Sequence, residues 1–257
     1  MMNTTLYAGS HRRLFEAFLQ LVDDSDAQLA AILNSSSWEE VTSILTIGGG
    51  QGIIEASLLR NAPNANIWYL DPSSEQCDAF RQFMKNELLY SRVKDISQTT
   101  FQDFTTSKTF DRIVSLFSWF YIGTDEPWLS KLIDLLSPSG TAFLMLPNID
   151  SIEHVFYREF SPDIRMTLIG DEIVKALKDQ KFTVTQDTYT KWLLPEELFK
   201  GGQLSDGSLA FAAFAAERPF DTFSKAEVEK ISELLKTSQK SQGVPLSWDL
   251  ISISKNS

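Results

Sequence analysis

Ile44-Leu-Thr-Ile-Gly48-Gly49-Gly50-Gln51-Gly52, then a helical run, then Ile67-Trp-Tyr-Leu-Asp71-Pro-Ser-Ser-Glu-Gln76, is the stretch that decides the fold. It reads as an apolar strand, a glycine turn opening a helix, and a second strand ending in an acid. That order brings a backbone turn against a nucleoside and an acid to its ribose. Gly48 and Gly50 permit positive φ and carry no Cβ, so a ligand can approach the turn closely. Asp71 lies 19 residues after Gly52, near the spacing of about twenty expected of a ribose-binding acid. A Walker loop is excluded because no Lys-Ser/Thr pair follows the glycines. The glycines fall as G-x-G-x-G, with Ile53 where a dinucleotide fingerprint places its third glycine; this turns the reading from nicotinamide or flavin toward S-adenosylmethionine. A glycine turn can also serve only to seat a helix on a sheet, and Asp71 also suits a cap for the helix that begins near Ser73. The acid at the ribose spacing and the strands downstream favour the nucleoside reading.

Working outward, strands and helices alternate: strand 43–48, helix 51–61, strand 66–70, helix 73–90, a short strand at 93–97, strand 111–116, helix 126–136 and strand 140–147. Alternation of this kind predicts an α/β fold, a doubly wound, mostly parallel Rossmann-like sheet with helices on both faces. Ser137-Pro-Ser-Gly140 reads as a helix stop and a turn. Further on, a helix is expected at 169–179, alternating strands at 182–189 and 246–253, and helices within 192–240 opened by Pro195 and Ser224. These give an antiparallel closing pair with a helical insertion before the last strand. Apolar positions from Leu14 to Leu33 have amphipathic spacing and predict N-terminal helices. The expected organisation is one domain over 1–257: a helical lid at 10–40, a cofactor-binding core at 41–150, and substrate-side helices and closing strands at 151–257.

Composition narrows the function classes. With 34 acids against 23 bases the net charge is −11, and no Lys/Arg cluster appears, which disfavours nucleic acid as a partner. Such a surface draws cationic small molecules, and it also serves solubility. No apolar run reaches membrane-spanning length and no signal-peptide pattern opens the chain, so a soluble, cytoplasmic protein with no membrane partner is expected. The lone Cys77 forms no internal disulfide and reads as a buried thiol; with only His11 and His154 no metal site is expected. The oligomeric state is open, and a monomer meets every requirement read so far.

On its glycine turn Gly48-Gly49-Gly50-Gln51-Gly52, its Asp71-Pro72-Ser73, its Glu75-Gln76, and Phe110-Asp-Arg-Ile-Val-Ser-Leu-Phe-Ser-Trp-Phe-Tyr121, the chain resembles the class I S-adenosylmethionine-dependent methyltransferases. Within them it is similar to the histamine N-methyltransferase group. The resemblance implies S-adenosyl-L-methionine as cofactor and methyl transfer to a small-molecule amine, with an oxygen acceptor (phenol or carboxylate) as the alternative and a non-catalytic cofactor-binding subunit as a further one. It implies that Gly48, with Gly49 and Gly50, meets the methionine part, Asp71 and Pro72 the ribose, Gln76 the adenosine and Thr100 the adenine, while Leu116 and Phe117 lie near the sulfonium. The group's substrate-contacting acid falls at Asp24-Ser25-Asp26-Ala27, with Ala27 in the closest register, and its asparagine falls near Ser247 or Trp248.

Methyl transfer is an in-line displacement, so such an enzyme supplies mainly proximity and orientation. The residues themselves make Phe18, Trp119, Phe120, Tyr121, Phe156 and Trp248 candidates for the acceptor, because aromatic faces hold amines. Tyr121 and His154 are the candidates for work at the reacting group, with a hydrogen-bonded structural histidine as the plainer account of His154.

Overall fold

The computed structural model describes Leu21 and residues 25–161, 167–177, 182–216 and 218–255. The strands are β1 (Ser43–Ile47), β2 (Asn66–Leu70), β3 (Val93–Ser97), β4 (Phe110–Leu116), β5 (Leu136–Pro147), β6 (Phe182–Leu193), β7 (Phe199–Lys200), β8 (Gln203–Leu204) and β9 (Val244–Lys255). The helices are α1 (Ser25–Ser35), α2 (Ile53–Asn61), α3 (Ser74–Asn86), α4 (Glu126–Asp134), α5 (Ile152–Phe160), α6 (Gly170–Leu177), α7 (Pro195–Leu198), α8 (Asp206–Ala215) and α9 (Lys225–Thr237). Seven strands form one sheet in the order β3-β2-β1-β4-β5-β9-β6, mostly parallel with one antiparallel strand. This is the mostly parallel, Rossmann-like α/β sheet expected. β7 and β8 make a separate antiparallel hairpin.

The chain divides into two compact units. One comprises Ser25–Leu146, Leu168–Asp187 and Asp249–Ser257; the other includes Pro147–Thr167 and Thr188–Trp248. In the first, β1 is buried at every position and lies between β2 and β4 in parallel register, Thr46 opposite Tyr69 and Val114. A strand covered on both faces reads as the continuous apolar run that Ile44-Leu-Thr-Ile shows. Helix α1 packs against α2. Asp111 ties the start of β1 to β4, its Oδ2 accepting from the Thr42 and Ser43 amides at 3.0 and 3.1 Å. In the second unit α5 packs on α8, with Phe156 against Phe211 at 5.0 Å between ring centroids.

Several boundaries differ from expectation for identifiable reasons. Helix α2 starts at Ile53 rather than 51, because Gly52 takes a left-handed φ of 94° as its N-cap. Helix α3 ends at Asn86, and Leu88, at φ 59°, breaks the run expected to reach 90. Ser137-Pro-Ser-Gly140 is not a turn before the strand: it lies within β5, where the register against β4 slips between Phe110 and Arg112. Gly140 fits there because a Cβ would meet the Phe110 carbonyl at 2.7 Å. Within 192–240 the helices expected at Pro195 and Ser224 are present as α7 and α9, but the stretch also completes β6 and forms the β7–β8 hairpin before α8. Helix α5, capped by Ser151, was not anticipated. Of the expected N-terminal lid, residues 10–20 and 22–24, Phe18 and Asp24 among them, lie outside the described residues, and the described remainder holds α1. Among the described residues no helix is long and apolar enough to cross a membrane.

Candidate functional site

The glycine turn leaves the end of β1 with Gly48 at φ 67°, Gly50 at 55° and Gly52 at 94°, three left-handed residues that only glycine adopts cheaply. Each of the four glycines faces something different. A Cβ on Gly48 would meet Ser118 Cβ at 2.5 Å, one on Gly49 the Glu55 carboxylate at 2.4 Å, and one on Gly52 the Phe80 ring at 2.6 Å. Only Gly50 opens outward, with Gln76 Oε1 at 4.0 Å as the nearest atom to its missing Cβ. The turn is thus packed tightly on three sides and open on one. Helix α2 begins at its far end with Gly52 as N-cap and no side-chain cap, so the positive end of its dipole lies at the turn.

Tyr69 of β2 holds the turn from below. Its hydroxyl lies 2.9 Å from the Gly50 carbonyl, which it bonds, and 3.3 Å from Asp71 Oδ2, while its ring stacks on Phe80 at 4.0 Å. Burial, then the charges of Asp71 and Glu55, push the phenol well above its ordinary range, so it remains a donor. Asp71 is 8% exposed. Its Oδ1 accepts the Ser73 amide at 2.8 Å, while the cap of α3 is the Ser73 hydroxyl, which accepts the Gln76 amide at 3.3 Å. Asp71 therefore does not cap the helix and keeps lone pairs for a ligand. Burial raises its pKa, and the Ser73 and Tyr69 bonds oppose that rise. Gln76 Oε1, beside the open face of Gly50, is buried with no hydrogen-bond partner. An orphaned acceptor, an acid with spare lone pairs and a turn open on one side together fit a nucleoside cofactor.

The other expected cofactor residues distribute as follows. Pro72 is exposed, and Thr100 is half-buried with its hydroxyl on Asp103 Oδ2 at 2.8 Å. Leu116 and Phe117 are half-buried at the end of β4; Phe117 adopts φ 51°, a strained value for a non-glycine residue, with its amide on the Met145 carbonyl at 2.9 Å. Tyr121 is half-buried, its ring tilted against Phe120 at 4.6 Å. Trp119 is fully buried, its indole N–H donating to the Gly123 carbonyl at 2.9 Å and its ring against Phe101 at 5.2 Å. Phe120 is buried beside it. Both therefore shape the turn after β4 and present no open ring face, contrary to the substrate role expected of them. In the second unit His154 and Phe156 are buried on α5, and Trp248 of β9 is buried with its ring stacked on Tyr189 at 6.4 Å. Cys77 is a buried thiol lifted to about 11 by burial and then by Asp71, which removes it as a nucleophile. Among the described residues no group of three or more His, Cys, Asp or Glu stands close enough to hold a metal.

Three residues of the site went unread in the sequence: Tyr69, Glu55 and Ser118. Ser118 fills the space that a Cβ on Gly48 would need and donates to the Ile47 carbonyl at 2.6 Å. Glu55 is 2% exposed beneath Gly49, accepts from Thr46 Oγ1 at 2.7 Å, and is pushed up to about 7 by burial. The signal for all three is contact across the turn, which appears only once β1, β2 and β4 are side by side.

Comparison with known proteins gives the same frame. Residues 44–140 match a family model described as a methyltransferase domain. A putative methyltransferase from Bacillus halodurans superposes with a TM-score of 0.64 at 12% identity, covering 90% of this chain and 100% of that one. Coclaurine N-methyltransferase bound to N-methylheliamine and SAH superposes at 0.59 and 13%, covering 90% and 72%. The StiE O-MT, residues 961–1257, superposes at 0.52 and 13%, covering 96% and 74%. At these identities the likeness is one of fold. No curated protein gave a significant sequence match.

Proposed function

We propose, from the premise that residues 44–140 are a class I methyltransferase domain working with S-adenosylmethionine, that the protein transfers a methyl group from that cofactor to the nitrogen of a small amine. The observation that carries the cofactor side is the open turn at Gly50 with the unpartnered Gln76 Oε1 and the spare lone pairs of Asp71 around it. In this reading Gly48, Gly49 and Gly50 border the methionine part, Asp71 holds the ribose diol, Gln76 and Thr100 flank the adenosine, and Leu116 and Phe117 lie by the sulfonium. Bound there, S-adenosylmethionine supplies an electrophilic methyl carbon. The chain's own part is to hold the nitrogen in line with that carbon and exclude water.

Three features support an amine acceptor. Tyr121 and Phe117 stay half-buried at the carboxyl end of β4, where ligands of open α/β sheets lie. The net charge of −11 favours the approach of cations. The turn and acid also resemble those of the histamine N-methyltransferase group. An oxygen acceptor is the second reading, favoured by the likeness in fold to an O-methyltransferase. A methylation screen of amines, phenols and carboxylic acids, read by product mass, tests both. Methylated amines are expected, with Tyr121→Ala raising KM for the amine far more than for the cofactor. Methylated phenols or acids without any amine product would overturn the amine assignment and leave the cofactor reading standing.

A further inference from the structure

Beneath the glycine turn sits a charge that none of the cofactor contacts above employs. Glu55, on the first turn of α2, is 2% exposed. Thr46 Oγ1 donates to its Oε1 at 2.7 Å, and its Oε2 is buried with no hydrogen-bond partner. The carboxyl lies directly under Gly49, so close that a Cβ there would stand 2.4 Å from Oε1. Glycine at that position therefore brings the turn's backbone down onto the acid.

The surroundings leave the acid without a counter-charge. From β1 it faces the Thr46 hydroxyl, and from β2 Tyr69, which stays protonated. Asp71, beyond Tyr69, adds a second acid, and Cys77 on α3 remains a neutral thiol. On α2 itself Arg60 is exposed and paired with Glu87, and on α1, which packs against α2, Asp26 is exposed. Burial disfavours the charged form of Glu55; only the Thr46 hydroxyl and its own backbone amide oppose that, and no basic side chain among the described residues contributes. The group is left near neutrality, ionising around pH 7. A cation placed above the turn would draw it into the charged form.

Resting on the reading that S-adenosylmethionine lies against this turn, we propose that Glu55 is a proton-linked counter-charge by which the site tells the cationic sulfonium cofactor from its uncharged sulfide product. Glu55 releases its proton to solvent when the sulfonium arrives. In the transfer the acceptor nitrogen's lone pair bonds the methyl carbon as the carbon–sulfur bond breaks; the sulfur keeps that bond's electron pair and becomes neutral, and the positive charge passes to the nitrogen, which releases it as a proton to solvent. Glu55 then regains a proton from solvent, and the product is held without the electrostatic attraction that held the cofactor. Glu55 acts through the turn as a specificity residue and touches neither the methyl group nor the acceptor.

The test is calorimetric titration of the full chain with S-adenosylmethionine and with S-adenosylhomocysteine from pH 6 to pH 8, in the wild type and in Glu55→Gln. For a group titrating at about 7 in the free protein, linkage predicts that the fall in Kd for S-adenosylmethionine over this range is roughly five- to tenfold larger in the wild type than in Glu55→Gln. The variant supplies the baseline for the ligand's own titrating amino group. For S-adenosylhomocysteine the two proteins should show the same pH dependence. Equal pH dependence of S-adenosylmethionine binding in the two proteins would overturn the inference. Should Glu55→Gln fail to fold, proton release on binding to the wild type at pH 7, measured in two buffers of different ionisation enthalpy, decides: more release with the sulfonium than with the sulfide supports the inference, and equal release overturns it. Failure of both ligands to bind at any pH would overturn the proposed function and this inference with it.

Discussion

Glu55 and Glu153 are buried carboxylic acids on the first turns of two nine-residue helices, α2 and α5, one in each unit. Burial lifts both to about 7. Their helix starts are built in opposite ways. Helix α5 is closed: the Ser151 hydroxyl accepts the Glu153 amide at 3.3 Å and the Ser247 amide at 3.0 Å, and Tyr157, one turn along the same helix, donates to Glu153 Oε1 at 2.8 Å. Helix α2 is open: Gly52 offers no side chain, the acid is steadied by Thr46 from a neighbouring strand, and Glu55 Oε2 has no partner. A helix start satisfied from within serves the fold, whereas one left unsatisfied beside a glycine turn is prepared for a ligand.

The comparison can be broken most forcefully at Gly48. Gly48→Ala combines a left-handed φ of 67° with a Cβ 2.5 Å from Ser118 Cβ. Strain and overpacking together should cost about 2–5 kcal/mol of stability, measured by denaturant unfolding. A variant as stable as the wild type would mean that the turn is slack.

The two acids themselves give a pH signature. Each has a folded-state value of about 7, above its ordinary 4.5, so the associated stability is complete below 4.5 and is lost as pH rises through 7. Glu55→Gln and Glu153→Gln should each make the ligand-free protein more stable than the wild type by about 3 kcal/mol at pH 8, with little difference at pH 4. If S-adenosylmethionine binding draws Glu55 into the charged form, the ligand should reduce the advantage of Glu55→Gln alone. An unchanged unfolding profile in either variant would show that its carboxyl is already solvated.

The smallest effects on stability separate the open helix start from the closed one. Ser151→Ala removes a cap and should cost about 1 kcal/mol, with cofactor affinity unchanged. Gly50→Ala should cost a similar amount for its φ of 55°, since no neighbour lies within 4 Å of the new Cβ except Gln76 Oε1 at that distance. Its methyl group would nevertheless stand on the open face and weaken cofactor binding strongly. Calorimetry on the two variants reads the contrast, and equal affinities would erase it.

Much of the first unit was legible because its signals are local. The apolar run of β1, the glycines after it, and Asp71 at ribose spacing each follow from a few neighbouring residues, and β1, β2 and β3 fall within one residue of where periodicity placed them. What stayed hidden depends on approach in space. Tyr69 reads as one more strand residue until its hydroxyl reaches Gly50, and Glu55 reads as a helix-surface acid until Gly49 lies on it. Ser137-Pro-Ser-Gly140 carries turn chemistry, yet pairing with β4 draws it into a slipped strand. Helix α5 was missed because its apolar positions follow a strand end closely, and the β7–β8 hairpin is too short to show a period. Trp119 and Phe120 looked like a substrate face because aromatic residues at a strand end have no sequence mark for inward or outward.

The central claim is that the open turn and Asp71 form an adenosyl-cofactor site, and its most direct test is calorimetric titration of the wild type and Asp71→Ala with S-adenosylmethionine, S-adenosylhomocysteine and NAD. Hydrogen bonds to a charged acceptor contribute about 1.5–3 kcal/mol each. The account predicts micromolar binding of the two adenosyl compounds, none of NAD, and at least a tenfold loss of affinity in a folded Asp71→Ala. Binding of NAD without the adenosyl compounds, or unchanged affinity in the folded variant, would contradict it.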